Sequence, residues 1–225
     1  MKKLLFVICM LSMSGLGRAQ SAPSLGSAQS FAVLGGSTVT NTGATVVNGD
    51  LGVGPGTAVT GFPPGSVSGG TIHAGDATAT AAQAGAHKAY QDLVAEPCGT
   101  NLTGKTLGTS PGAVTLSPGV YCFDSSAQLT GTLTLNGNGV YVFKIGSTLT
   151  TARKSSVVLA KGATAGNVFW QVTSSATLGT NTGFEGSILA LISDTVTTGA
   201  SVSGRVFALT GSVTLSGNRI RSASK

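Results

Sequence analysis

The feature that most constrains this chain is a repeat. Short strands of Thr, Val, Leu and Ala alternate with Gly-Asn-Ser turns from Thr38 almost to the C-terminus. The segment Ala176–Leu191 lines up with Thr195–Leu209, and the matching Gly186 and Gly204 are 18 residues apart. A period of roughly 20 residues in an all-β pattern predicts a solenoid, whose units bury their apolar sides only by stacking on each other. Stacking also lines up like residues, so a threonine repeat becomes a flat row of threonines.

Composition agrees with a narrow all-β interior. Of 225 residues only 9% are charged and 5% aromatic, while 34 are glycine. A disordered chain would need low hydrophobicity and high charge. The core must be filled by Val, Leu, Ile and Ala, with Trp170 and Tyr141 expected inside it. The length fits one all-β domain.

The N-terminus reads as a secretory signal. Lys2-Lys3 precede an apolar run from Leu4 to Leu11, and small residues at Gly17 and Ala19 mark a cleavage site after Ala19. The run is too short to span a bilayer. The expected organisation is therefore residues 1–19 as signal peptide and 20–225 as a single domain. Cleavage removes Lys2, Lys3 and Arg18, leaving 10 of 13 basic residues against 7 acids, a net charge of +3. No Lys/Arg cluster of the nucleic-acid-binding kind remains. Of three cysteines Cys9 is lost, leaving Cys98 and Cys122. In an exported chain a disulfide between them is the natural expectation; two separate buried thiols are the alternative.

One helix is expected, over about 76–95, with Asp76 as N-cap and Pro97 beyond its end. It is rich in Ala, the best helix former, and small enough to lie close along a β wall. Residues 98–124 read as a loop-rich cap over an open solenoid end, where unpaired strand edges invite association. The tail Arg221–Lys225 is short and polar.

Several blocks carry a family resemblance: Ser30–Gly43, Gly49–Val53 with Pro55–Gly65, Ile72-His73-Ala74, Leu116–Tyr121, Gly146–Ala152, and Asn167–Val172. In these, and across residues 24–221, the chain resembles the microbial secreted ice-binding (antifreeze) proteins with the ice-binding-like β-solenoid domain. The resemblance implies a mainly β fold: a right-handed β-solenoid of triangular section with one long α-helix packed alongside. It implies that the N-terminal strands join the C-terminal coils across the helix. It further implies adsorption to ice, with inhibited ice growth and recrystallisation, through one flat face that often carries a Thr-(Ala/Gly)-any-(Thr/Asn) pattern.

Threonine suits such a face physically. Solenoid coils repeat every ~4.7–4.9 Å, and alternate residues along a strand lie about 6.6 Å apart, which together define a grid. Branching at Cβ restricts χ1, so methyl and hydroxyl groups point in reproducible directions. Thr42-Gly43-Ala44-Thr45 and Thr57-Ala58-Val59-Thr60 match the pattern. Thr198-Gly199-Ala200-Ser201 matches with Ser last, and Thr180-Asn181-Thr182-Gly183 occupies the aligned place one coil away. Thr151-Ala152 begins well but runs into Arg153-Lys154, and Ser216-Gly217-Asn218 departs further. Thr103–Thr106, in the cap, and Thr164–Asn167, in a turn, are set aside. The expected ice-binding residues are Thr42, Gly43, Thr45, Thr57, Ala58, Thr60, Thr151, Thr180, Thr182, Thr198, Gly199 and Ser201. Threonine also favours strands in solenoids that bind no ice, so the pattern alone does not fix the face.

Other chemistry finds little support. His73 with Asp76 is two ligands where zinc wants three or four, and His73 reads as a structural residue at the helix start. The acids are scattered rather than paired for glycoside hydrolysis. Gly52–Gly56 lacks the context of a phosphate loop, and Asn101-Leu102-Thr103 is a glycosylation sequon. No enzyme activity, cofactor, metal, nucleic-acid partner or membrane partner is expected. The expected partner is the ice surface, the state a monomer, and the location extracellular (or periplasmic in a bacterium). A β-solenoid adhesin or surface protein binding polysaccharide, and a polysaccharide-degrading solenoid enzyme, are the alternatives. The first wants exposed aromatics or extra domains, the second a charged cleft.

Overall fold

A computed structural model describes residues 21–223; the signal-peptide expectation lies outside the described residues. Three parallel sheets wrap one core as a triangular solenoid. Face A holds nine strands, face B seven and face C eight. Every named strand pair is parallel, as Phe169↔Ser187, Thr177↔Thr195 and Phe184↔Val202 illustrate. The 18-residue offset read from the sequence is the register between these later coils; earlier coils are longer, as Tyr121↔Phe143 and Thr150↔Thr177 show.

The coils do not stack in chain order. Residues 31–48 sit directly on the last coil, through Val33↔Val206, Thr38↔Ser212 and Val46↔Arg219. Residues 50–74 add a further coil on top, ending one pole of the solenoid. The helix Ala77–Ala95 then returns along face A to the other pole. From there the chain climbs coil by coil from Thr100 to Arg221 and closes on its own beginning.

The helix forms where its sequence and the sheet agree. Asp76 accepts the Ala79 N–H at 2.8 Å, satisfying one of the four free donors of the first turn. Ala79, Ala82, Gln83, Ala86, Ala89, Tyr90 and Leu93 form one buried stripe. The stripe packs on Phe31, Leu34, Val142, Phe169, Leu189 and Phe207, which point outward from face A. Gly85 allows the closest approach: a Cβ there would lie 2.6 Å from the Leu25 carbonyl oxygen. Gln83 donates to the Ala208 carbonyl and Gln171 to Tyr90 Oη, tying helix to sheet. Lys144 Nζ donates to the Val94 carbonyl at 2.8 Å, where positive charge opposes the helix dipole favourably.

The core is a ladder. Tyr121, Phe143 and Trp170 occupy one inward register position on successive coils, with ring centroids 5.5 and 3.8 Å apart, and Phe184 continues the stack at 4.9 Å. Trp170 Nε1 donates to the Glu185 carbonyl. Tyr141 and Trp170 are both buried, where the sequence put them. Cys98 and Cys122 form a disulfide with Cα atoms 5.9 Å apart, joining the segment after the helix to a face A strand. His73 Nδ1 lies 2.8 Å from Asp76 Oδ2, at the helix start.

Candidate functional site: the threonine face

Helix packing covers face A, which leaves faces B and C. The strands of face B alternate strictly. In Leu149-Thr150-Thr151, Ala176-Thr177-Leu178, Asp194-Thr195-Val196, Val213-Thr214-Leu215, Val39-Thr40-Asn41 and Val59-Thr60, a threonine faces outward next to residues that face in. Pairing puts those threonines in one file: Thr150↔Thr177, Thr177↔Thr195, Thr195↔Thr214, Thr214↔Thr40 and Thr40↔Thr60. Gln128, paired with Thr150, ends the file at the pole that carries the disulfide. Thr150, Thr214 and Thr60 are exposed, and the three between them half-buried by their neighbours.

A second file runs beside the first, two residues earlier on each strand. Ser212, Thr38 and Ala58 pair directly. Ser193, Ser175, Thr148 and Ser126 extend the line: Ser175 Oγ accepts the Ser193 N–H, Ser193 Oγ accepts the Ser212 N–H, and the Ser126 and Thr148 hydroxyls lie 2.8 Å apart. The files stand about 6.6 Å apart and their members ~4.8 Å, the spacings of any parallel sheet. No outward position on these strands carries a charge, since Asp194 faces the core. The result is an uncharged plane of small hydroxyls and methyls.

The expected site residues fall in three places. Thr60 stands in the central file and Ala58 in the second. Thr42, Gly43, Thr57, Thr180, Thr198 and Gly199 lie on the rims, at strand ends and corner turns. Thr42 pairs with Ser216, and the Thr198 hydroxyl lies 3.0 Å from that of Ser216, which makes a short third file along the B/C corner. Ser201 is exposed but belongs to face C.

Thr45, Thr151 and Thr182 are corrected by burial: their side chains are inside, at 0%, 3% and 1% exposure. The physical reason is the corner itself. Thr45 Oγ1 donates to Asn41 Oδ1 and accepts from the Asn218 N–H at 3.0 Å. Thr151 and Thr182 share a hydrogen bond of 2.9 Å, and Thr151 accepts the Gly179 N–H. A chain turning 120° frees backbone groups from the ladders, and these inward polar side chains satisfy them. Asn41 and Asn218 extend the Thr45 cluster, and Ser155 the separate Thr151–Thr182 cluster. Gly199, with φ +73°, makes the corresponding outward turn; a side chain there would meet Asn181.

Thr40, Thr150, Thr177, Thr195 and Thr214 form the rest of the central file and lie outside the expected set. The signal for them was the period-2 alternation itself, a lone threonine between two core residues, rather than the Thr-x-x-Thr spacing. Where that spacing wraps a corner, as in Thr42-Gly43-Ala44-Thr45, its first residue points out and its last points in; in Thr57-Ala58-Val59-Thr60 it ends on the strand and Thr60 points out.

Two buried charged side chains stand apart from this pattern. Asp194 occupies an inward position between Ala176 and Val213, without a hydrogen-bond partner for either oxygen, and burial pushes its carboxyl well above the usual carboxylate range. It lies one residue before Thr195, in the middle of face B. Arg205 donates to the Gln29 carbonyl, and burial lowers its guanidinium to about 10. Among the described residues no group of three or more His, Cys, Asp or Glu is placed to hold a metal ion, and no helix is long and apolar enough to cross a membrane.

A triangular parallel solenoid with a helix along one face and an uncharged threonine plane on another defines a class of protein. The ice-binding-like family model matches residues 33–221, and the chain belongs to that family. An ice-binding protein of Nostoc sp. (strain HG1) is 48% identical over 225 residues, spanning 98% of this chain and 81% of that protein. The crystal structure of an ice binding protein from an Antarctic biological consortium aligns with TM-score 0.86 at 42% identity, covering 92% of this chain and 94% of that one. That of the ice-binding protein from the Antarctic ascomycete Antarctomyces psychrotrophicus aligns with TM-score 0.84 at 38% identity, covering 91% and 100%.

Proposed function

We propose that this protein adsorbs to ice through face B and thereby inhibits ice growth and recrystallisation. The observation that carries this reading is the in-register file of six threonines on an uncharged plane. Ice differs from its solvent only in order, so charge or a deep pocket gives no discrimination. A binder must instead hold water in a repeating arrangement before contact. Threonine rotamers are few, and each strand is pinned on both sides by parallel pairing, so the hydroxyl positions are set in advance of binding. Methyl groups between the hydroxyls leave water few alternative partners. Small residues in the second file keep the plane open to a flat solid.

The same reading includes export after cleavage at Ala19, action outside the cell as a monomer, and no dependence on a cofactor, nucleic acid or membrane. Ice binding needs no bond making, and no catalytic role is assigned. Thermal hysteresis and recrystallisation inhibition of the purified protein test the function: activity in both is expected, and its absence from both contradicts the reading.

A further inference from the structure

Charge is sorted by face in this molecule. Face B carries none outward. Asp50, Asp76, Asp92, Glu96 and Asp124 lie on or at the margins of the helix-covered face, where Lys88 pairs with Asp92 and Lys144 with the helix end. Face C is the reverse. Arg219 and Arg221 stand outward on one strand, Arg153 and Lys154 turn into the strand Ser156–Ala160, and Lys161 leaves it, against the single carboxylate of Glu185. Among the described residues the only ion pairs are His73–Asp76 and Lys88–Asp92, so none of these cations touches a carboxylate, although Arg221 attracts that of Glu185 two coils away.

The two arginines also line a groove. It encloses about 300 Å³ between strands, and its walls include Val46, Asn48, Ser201, Ser203, Arg219 and Arg221. Arg219 lies between Ser201 and Val46 on the neighbouring coils, and Arg221 between Ser203 and Asn48. A second cleft, bordered by Glu185, Ser203 and Arg221, continues it across the face. The surface thus offers two guanidinium forks a strand period apart, about 6.6 Å, flanked by hydroxyl and amide groups. Guanidinium is the side chain best fitted to take a carboxylate through two parallel bonds. Serine and asparagine supply the donors and acceptors that sugar hydroxyls use.

We propose that face C binds an acidic polysaccharide, a chain of carboxylate-bearing sugars, along this arginine groove. Charge complementarity selects an anionic occupant, and the remaining residues select among anions. No aromatic ring stands outward on the face C strands, so the stacking platform of single-stranded nucleic-acid sites, and equally that of neutral-sugar sites, is missing, and recognition rests on the guanidinium charges. Among the described residues the large exposed apolar side chains of face C are Val46 and Val158, with Val114 beside the edge strand, too few to enter a bilayer. Because faces B and C meet at a corner and share no outward residue, a protein held to such a polymer by face C keeps face B free for ice.

Isothermal titration at low salt with alginate as the probe tests this, with dextran, phosphatidylglycerol vesicles and single-stranded DNA as comparison ligands. Alginate is expected to bind and dextran not to. The double variant Arg219→Ser, Arg221→Ser should lose affinity roughly tenfold or more, as expected when charge-assisted bonds are removed. Thr195→Tyr should leave alginate binding unchanged. Absence of alginate binding, full binding by the double variant, or vesicles or DNA binding as tightly as alginate overturns the proposal. None of these outcomes bears on thermal hysteresis, so the ice-binding reading is judged separately.

Discussion

Faces B and C are built by the same coils, with the same parallel pairing and the same in–out alternation, yet only one of their outer surfaces is uniform and uncharged. On face B the outward positions at the strand centres are Thr150, Thr177, Thr195, Thr214, Thr40 and Thr60, one residue type across six coils. On face C the comparable row reads Thr132, Ser156, Gly183, Ser201, Arg219, Val46 and Ser66. The backbone therefore supplies a grid to both faces, and only the side chains make one of them uniform. Parallel pairing accepts either composition on the solvent side, so uniformity on one face alone is not a by-product of strand propensity.

The contrast can be broken most forcefully by exchanging chemistry between the faces. Thr214→Arg puts a long, hydrated charge in the middle of the threonine file and should remove more than half of the thermal hysteresis. Removing Arg219 and Arg221 from face C should leave hysteresis unchanged. Circular dichroism of each variant separates loss of the face from loss of the fold.

The corner sharpens the comparison next. Thr45→Val leaves the Asn218 N–H and Asn41 Oδ1 without their buried partner, at a cost of about 1–3 kcal/mol in a urea titration. Because Thr45 is buried at the end of face B, its hysteresis should fall less than that of Thr214→Arg.

Asp194 tests what lies beneath the file. Its carboxyl is raised by burial, so it stays protonated in the fold at pH values where the unfolded chain has ionised. With the folded pKa above the unfolded one, the fold is favoured most below the unfolded value near 3.9, and stability declines as pH rises past it. Asp194→Val, matching Val213 on the next coil, should add about 1–3 kcal/mol at neutral pH by removing an unpartnered buried group. It should also flatten the pH dependence of the melting temperature above the unfolded value near 3.9. An unchanged profile would show that the carboxyl does not carry it.

The smallest expected effect is a gain. Gln128 paired with Thr150 is the one long side chain in the file. Gln128→Thr lengthens the row by one step and should raise hysteresis modestly, with no change in stability beyond about 0.5 kcal/mol.

The sequence carried most of the architecture, because local rules decide it. The Asp76 cap, the alanine-rich stripe and the small-residue strands each follow from propensity and period, and the Gly186–Gly204 repeat is the observed register. The face was less legible. Which threonines share a plane depends on how coils of unequal length align, and on residues 31–48 landing upon 206–221, which no local pattern states. The Thr-x-x-Thr spacing was misleading for a definite reason. A strand alternates every two residues, but a corner turn interposes an extra rotation, so Thr45 and Thr182 become internal plugs of the corner. Alternation within single strands, in triplets such as Ala176-Thr177-Leu178, points outward without ambiguity.

The most direct test pairs two substitutions on one coil. Thr195 and Ser201 are six residues apart, on faces B and C respectively. Thr195→Tyr and Ser201→Tyr place the same bulky ring on each face, and the fraction of protein taken up by a slowly growing ice hemisphere measures adsorption. Strong loss for Thr195→Tyr with wild-type uptake for Ser201→Tyr is the predicted result. Equal uptake by both variants, or loss confined to Ser201→Tyr, would contradict the assignment of ice binding to the threonine face.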